Sequence, residues 1–125
     1  LDPWPSELTA YPVPSDPKRD WTGLAISAGI ESVPGSAVAP QAAPGIFAHG
    51  DVDGDGDQDL VASGDGDPNV YVLEQISRGV FETHILEADI AQAGGLNVVD
   101  LNGDGRNEIV ITGYEDNIIL VFERQ

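Results

Sequence analysis

Between residues 51 and 59 the chain reads Asp-Val-Asp-Gly-Asp-Gly-Asp-Gln-Asp, with five carboxylates on alternate residues and Leu60-Val61 directly after them. At neutral pH these charges repel one another, and the two glycines loosen the backbone that carries them. A folded chain keeps such a segment by taking up a cation. Oxygen ligands at positions 1, 3 and 5, with glycine following position 5, suit a hard ion. Calcium fits better than magnesium, because Ca²⁺ accepts about six to eight oxygens in flexible geometry. The pattern recurs at Asp100-Leu101-Asn102-Gly103-Asp104-Gly105-Arg106-Asn107-Glu108, followed by Ile109-Val110. Two calcium sites are expected.

A helix-loop-helix calcium hand shares the first six positions but requires an acid at position 12 and flanking helices. Position 12 is Ala62 in one loop and Ile111 in the other. The last acid stands instead at position 9, as Asp59 and Glu108, ahead of apolar runs that read as strands. In this strand-loop-strand setting, side-chain ligands are expected from positions 1, 3, 5 and 9. These are Asp51, Asp53, Asp55 and Asp59 in the first loop, and Asp100, Asn102, Asp104 and Glu108 in the second. Position 7 is expected to give its main-chain carbonyl, which explains how Asp57 and Arg106 can occupy equivalent places.

The duplication extends beyond the loops. A shift of 49 residues superposes Gly45–Gln75 on Gly94–Arg124 without a gap, with ten of 31 positions identical, including Val61/Val110, Asp67/Asp116, Val72/Val121 and Glu74/Glu123. A weaker match at a shift of 60 superposes Trp21–Ile30 on Phe81–Ile90. The two shifts differ by an insertion over 31–44, rich in Ala, Pro, Gly, Ser and Val. The expected organisation is a proline-rich arm or linker over 1–20, a first unit over 21–75 and a second over 76–125. Each unit reads as four short strands, at about 21–27, 45–51, 59–64 and 69–75, then about 81–87, 95–100, 108–113 and 117–123. Asp65 and Asp67 fall in a turn of hairpin composition, where acids usually serve the turn and a weak third cation site is the less favoured alternative. No segment keeps a helical period, so the chain is read as all-β. Four strands per unit, a period near 50 and a loop between strands two and three describe two antiparallel β-propeller-like blades.

On these residues, Asp51–Val61 and Asp100–Val110, the sequence resembles the FG-GAP/VCBS repeats of integrin α-subunit propellers and of many secreted bacterial and fungal proteins. It departs from them at Asn102 and Glu108, which still offer oxygen, and in keeping only Pro44-Gly45-Ile46-Phe47 as a remnant of the segment that names the family. The resemblance implies calcium-binding blades of a larger or oligomeric ring. Two blades do not close one, since propellers have about four to eight. The expected partners are therefore further copies of this chain or the rest of a longer propeller.

Composition narrows the function classes. There are 22 acids against five bases, a net charge of −17, which disfavours nucleic acid and anionic membranes as partners. No run is apolar enough to span a bilayer, no leader pattern is evident, and the chain reads as a mature or excised piece. Without cysteine there is no disulfide or thiolate chemistry. Loops of this kind need free calcium of about 10⁻⁴ to 10⁻³ M, a level found outside cells, so secretion is expected. Catalysis has little support: His49 and His84 are the only histidines and no nucleophile or phosphate motif accompanies them. A calcium-stabilised module for adhesion or for binding glycans or proteins is favoured. Part of a secreted carbohydrate-active enzyme, of polysaccharide lyase or sugar dehydratase type, and a calcium-dependent subunit of a surface assembly or filament are the alternatives.

Overall fold

The computed structural model describes residues 4–27, 29–32 and 46–125. Most of the 31–44 insertion, Pro44-Gly45 and the side chain of Trp4 lie outside the described residues. Eleven strands are formed among those described: β1 (Trp4–Ser6), β2 (Thr9–Ala10), β3 (Leu24–Ala25), β4 (Ile30–Ser32), β5 (Ile46–Gly50), β6 (Asp59–Ser63), β7 (Asn69–Ser77), β8 (Val80–Glu87), β9 (Ala93–Val99), β10 (Glu108–Gly113) and β11 (Ile118–Phe122). They pair antiparallel into a four-stranded sheet β5-β6-β7-β8, a three-stranded sheet β11-β10-β9, and two small ribbons, β1-β4 and β2-β3.

The two large sheets pack face to face. Val61 and Val70 from the first sheet meet Ile109 and Ile111 from the second, and Ala88 and Ile90 from the connecting chain, with Ala93 at the start of β9, fill the layer between them. Ile46, Val72, Leu86, Leu96, Val98, Leu120 and Phe122 close its edges. The sheets come so near at Gly50 that a Cβ there would lie 2.5 Å from Val98 Cγ1. Alternation along each strand puts a second apolar stripe on the far face of the first sheet. There Ala62, Tyr71 and Leu73 are buried under Ile30, with Leu8 and Ile26 beside them. Main-chain pairing of β1 with β4 and of β2 with β3, and the bond from the Leu8 N–H to Ser27 Oγ at 2.9 Å, hold residues 4–10 to 24–32, and the packing of Leu8, Ile26 and Ile30 joins this segment to the first sheet. Both faces of β6 are covered, as its near-continuous burial shows.

The second sheet differs from expectation in having three strands where four were anticipated. The strand expected to open the second unit is β8, and it pairs along β7 from Asn69↔Glu87 to Ser77↔Val80. The physical reason is local. Only Arg78-Gly79 separates the two strands, Gly79 adopts φ +77°, and a two-residue loop of this kind returns the chain onto its predecessor. Among the described residues no closed ring is formed. Among the described residues no helix is long and apolar enough to cross a membrane.

Candidate metal centre

Both acidic loops leave the sheets at the same end, one between β5 and β6 and the other between β9 and β10. They fold alike. In the first, Asp51 accepts from the Gly54 and Gly56 N–H groups at 2.6 and 3.0 Å, Asp53 from Asp55 at 3.0 Å, and Asp55 from Asp57 at 2.8 Å. In the second, Asp100 accepts from Gly103 and Gly105 at 2.7 and 2.9 Å, Asn102 Oδ1 from Asp104 at 2.9 Å, and Asp104 from Arg106 at 2.8 Å. The coil needs left-handed backbone at positions 4 and 6. Gly54, Gly56, Gly103 and Gly105 supply it with φ of +83°, +96°, +79° and +87°.

The position 9 acids anchor the loops to the sheets. Asp59 is 1% exposed, accepting from the Val52 N–H at 2.7 Å and from the Gln75 N–H on β7 at 2.9 Å. Glu108, also buried, accepts from the Leu101 N–H at 2.7 Å and from Asn102 Nδ2 at 3.3 Å. The two loops also touch each other, since Asn107 Nδ2 donates to the Asp51 carbonyl at 2.9 Å.

In the first loop Asp51, Asp53 and Asp59 each bring a carboxylate oxygen within 4.8 Å of the other two. Three oxygens of anionic carboxylates form a donor set suited to a hard divalent cation. Asp55 and Asp57 lie on the exposed outer part of the loop, and Asp57 bonds through its N–H. Asp100, Asn102, Asp104, Arg106 and Glu108 occupy the same places in the second loop. Among the described residues no second trio of carboxylates converges in this way, and the Asn102 amide stands where the first loop has Asp53.

Electrostatics point the same way. The bond from the Asp55 N–H pulls the Asp53 carboxyl toward lower pKa, but loss of water and the charges of Asp55, Asp59 and Glu74 outweigh it, leaving Asp53 above its ordinary value. The crowded loop therefore favours a neutralising species.

Glu74 and Glu123 stand beside the loops although they lie outside both. Glu123 Oε1 accepts from Asn102 Nδ2 at 3.3 Å, and Glu74 raises Asp53. Their identity across the 49-residue shift was the only sequence signal. The histidines behave as ordinary polar residues: His49 Nδ1 lies 3.0 Å from Gln58 Oε1, and His84 Nε2 lies 3.0 Å from Glu74 Oε2. Asp67 is buried and accepts from Tyr71 Oη at 2.6 Å and the Asn69 N–H at 2.9 Å, while Asp65 accepts from Gln92 Nε2 at 2.7 Å. Protein donors account for both of these acids. Beside the loops an open cleft of about 370 Å³ runs between the sheets, lined by Asp53, His84, Asn107, Glu123 and Arg124 over an apolar floor of Val72, Leu86 and Ile109.

Residues 51–111 match the family described as FG-GAP-like repeat, a span that runs from the first residue of the first acidic loop into β10 beyond the second. No curated protein matches the chain, and no solved structure does.

Proposed function

We propose that this chain, which carries an FG-GAP-like repeat over residues 51–111, is a calcium-stabilised propeller-type binding module in which the metal is structural. The carrying observation is the convergence of Asp51, Asp53 and Asp59 within a loop folded by its own backbone donors. Asp55 and the Asp57 carbonyl complete the first site. Asp100, Asn102, Asp104, Glu108 and the Arg106 carbonyl make the second, which is the weaker because an amide replaces a carboxylate. Calcium held there neutralises the loops and fixes the strand ends they join. Extracellular calcium levels suit such sites, so the module belongs outside the cell, where it serves adhesion or the binding of a glycan or protein. Calorimetric titration tests this: two Ca²⁺ per chain and a raised melting temperature are expected, and absence of uptake or unchanged melting in EDTA refutes it.

One observation favours a second reading, part of a carbohydrate-active enzyme. His84 and Arg124 line the same cleft as Asp53, so an imidazole and a guanidinium stand beside a candidate metal loop. Cleavage of acidic polysaccharides that is lost in both His84→Ala and Arg124→Ala would favour it over binding alone.

A further inference from the structure

The ribbon formed by β2 and β3 carries two aromatic side chains that neither the loops nor the large sheets use. Its ladder pairs Thr9 with Ala25 and Ala10 with Leu24. Just beyond it the Tyr11 ring lies across Gly23, where a Cβ would stand 2.9 Å from Tyr11 Cε1 and 2.8 Å from Thr9 Cγ2. The absence of a side chain at position 23 is therefore what lets the ring lie down on the ribbon. Between the two strands Asp16 closes a turn, its Oδ1 accepting from the Lys18 N–H at 3.1 Å and its carbonyl from the Arg19 N–H at 3.0 Å. The turn brings Trp21 back to Pro17, whose carbonyl accepts from the indole Nε1–H at 3.1 Å. Pro12, Pro14 and Pro17 fix φ along this connection and reduce its freedom. Trp21 stands two residues from Gly23, a reach of at most about 7 Å between Cα atoms, so the two rings are neighbours.

Area and charge say what such a pair can hold. Tyr11 is 54% exposed and Trp21 47%. A fully buried aromatic covers about 150–250 Å², so two half-exposed rings offer about that much together. A stable protein contact needs about 800 Å² from each partner, which makes the pair too small for a second copy of the chain or another folded surface. The indole donor is already used by Pro17, so Trp21 presents a ring face and no N–H. Around the rings Asp16, Lys18, Arg19, Asp20 and Thr22 are all exposed. Their charges cancel, in a chain whose net charge is −17. The matching ligand is small and uncharged, with a flat apolar side for the rings and polar groups at its edge for the side chains around them. A pyranose has this form, since its C–H bonds make an apolar face and its hydroxyls project around the rim.

We infer that Tyr11 and Trp21 form a stacking platform for one or two rings of a neutral glycan. This deepens the binding role proposed above and rests on it, choosing glycan over protein as the ligand, and it does not require metal in the loops. Pre-positioned Tyr and Trp side chains suit the task because they supply rigid contact area with little conformational entropy to lose.

The test uses the 125-residue chain with Trp4→Phe, which leaves Trp21 as the sole tryptophan. Cellohexaose, xylohexaose and mannohexaose are titrated in turn while the Trp21 fluorescence is followed, with trigalacturonate as the charged comparison. At least one neutral oligosaccharide is expected to shift or quench the emission, and trigalacturonate to bind at least about tenfold more weakly, a difference of about 1.4 kcal/mol. In calorimetry Trp21→Ala and Tyr11→Ala are each expected to weaken that oligosaccharide at least about tenfold, with circular dichroism and calcium uptake unchanged because both side chains are exposed. No response to any of the three neutral sugars overturns the inference, as does sugar affinity that survives both alanine variants. Trigalacturonate bound as tightly as the neutral sugars overturns the assignment of a neutral ligand. A dimeric mass in light scattering that Trp21→Ala abolishes, with no sugar bound, overturns it in favour of self-association. Calcium uptake measured on the same samples keeps the two readings apart: sugar binding lost with calcium retained leaves the metal reading intact, and sugar bound without calcium leaves this one intact.

Discussion

Asp59→Asn separates the structural duty of a buried carboxylate from the metal-ligand role proposed for it. Both Asp59 oxygens accept main-chain hydrogen bonds, from Val52 at 2.7 Å and Gln75 at 2.9 Å, and the side chain is 1% exposed. Asparagine keeps the shape and one acceptor but turns an NH₂ toward the other N–H. Losing one hydrogen bond to a charged acceptor costs about 1.5 to 3 kcal/mol. Removing one charge from the Asp51/Asp53/Asp59 cluster returns about 1 kcal/mol of repulsion in a wet loop. In chelator the variant should therefore lose about 0.5 to 2 kcal/mol. In calcium at about 100 times the dissociation constant, the native loop gains about 2.7 kcal/mol from binding. The variant forfeits that gain, so its total loss rises to about 3 to 5 kcal/mol. Urea unfolding of both proteins, in millimolar calcium and in EDTA, measures the two losses directly. Equal losses in the two conditions would refute a metal-ligand role for Asp59 and leave only its bonds to Val52 and Gln75.

Asp55→Ala is expected to abolish calcium binding at the first loop, whereas Asp57→Ala should change it less than about threefold, since position 7 acts through its backbone and Arg106 stands there in the second loop; equal effects in calorimetry would contradict the assigned geometry. Ile111→Ala, at a fully buried position between the sheets, should cost about 2 to 5 kcal/mol in urea unfolding with or without calcium. Asn107→Ala removes the 2.9 Å bond between the loops and should weaken calcium at the first loop by up to about tenfold, the equivalent of about 1.4 kcal/mol. Unaltered affinity at both loops would show that the contact carries no coupling.

The loops were legible because their chemistry is local: alternate oxygens, two glycines that supply left-handed backbone, and an acid directly before a strand. The strands from Ile46 onward were legible for a related reason, since β-branched runs between turn residues leave few other choices. What periodicity could not supply was pairing. Phe81–Glu87 looked like the start of a unit because it matches Trp21–Ser27, yet Arg78-Gly79 turns it back onto β7. The repeat length says where equivalent residues recur and says nothing about which sheet they join. Residues 1–20 read as an arm or linker because Pro3, Pro5, Pro12, Pro14 and Pro17 suppress any period. Its Leu8 packs beside Ile30 through contacts with residues far along the chain. Glu74 and Glu123 were visible as identities, but their role depends on β7 and β11 ending beside the loops, which only the register determines.

The offset between repeat and sheet has a mechanical consequence for the metal loops. Each repeat from residue 46 onward gives three strands to one sheet, and the strand that follows a tight turn completes that sheet before the chain crosses to the next. Asp59 sits where three of these strands meet: it begins β6, accepts from Val52 just after β5, and accepts from Gln75 near the end of β7. A cation bound by Asp51, Asp53 and Asp59 would consequently fasten three strand ends at once. Repulsion in the metal-free loop acts on the same three. The same end of that sheet packs toward the second sheet through Val52 and Val98, and Asn107 joins the loops. Loosening of one loop therefore reaches the layer between the sheets without crossing the rest of either, so a cation bound there and the inter-sheet packing would stabilise one cooperative unit.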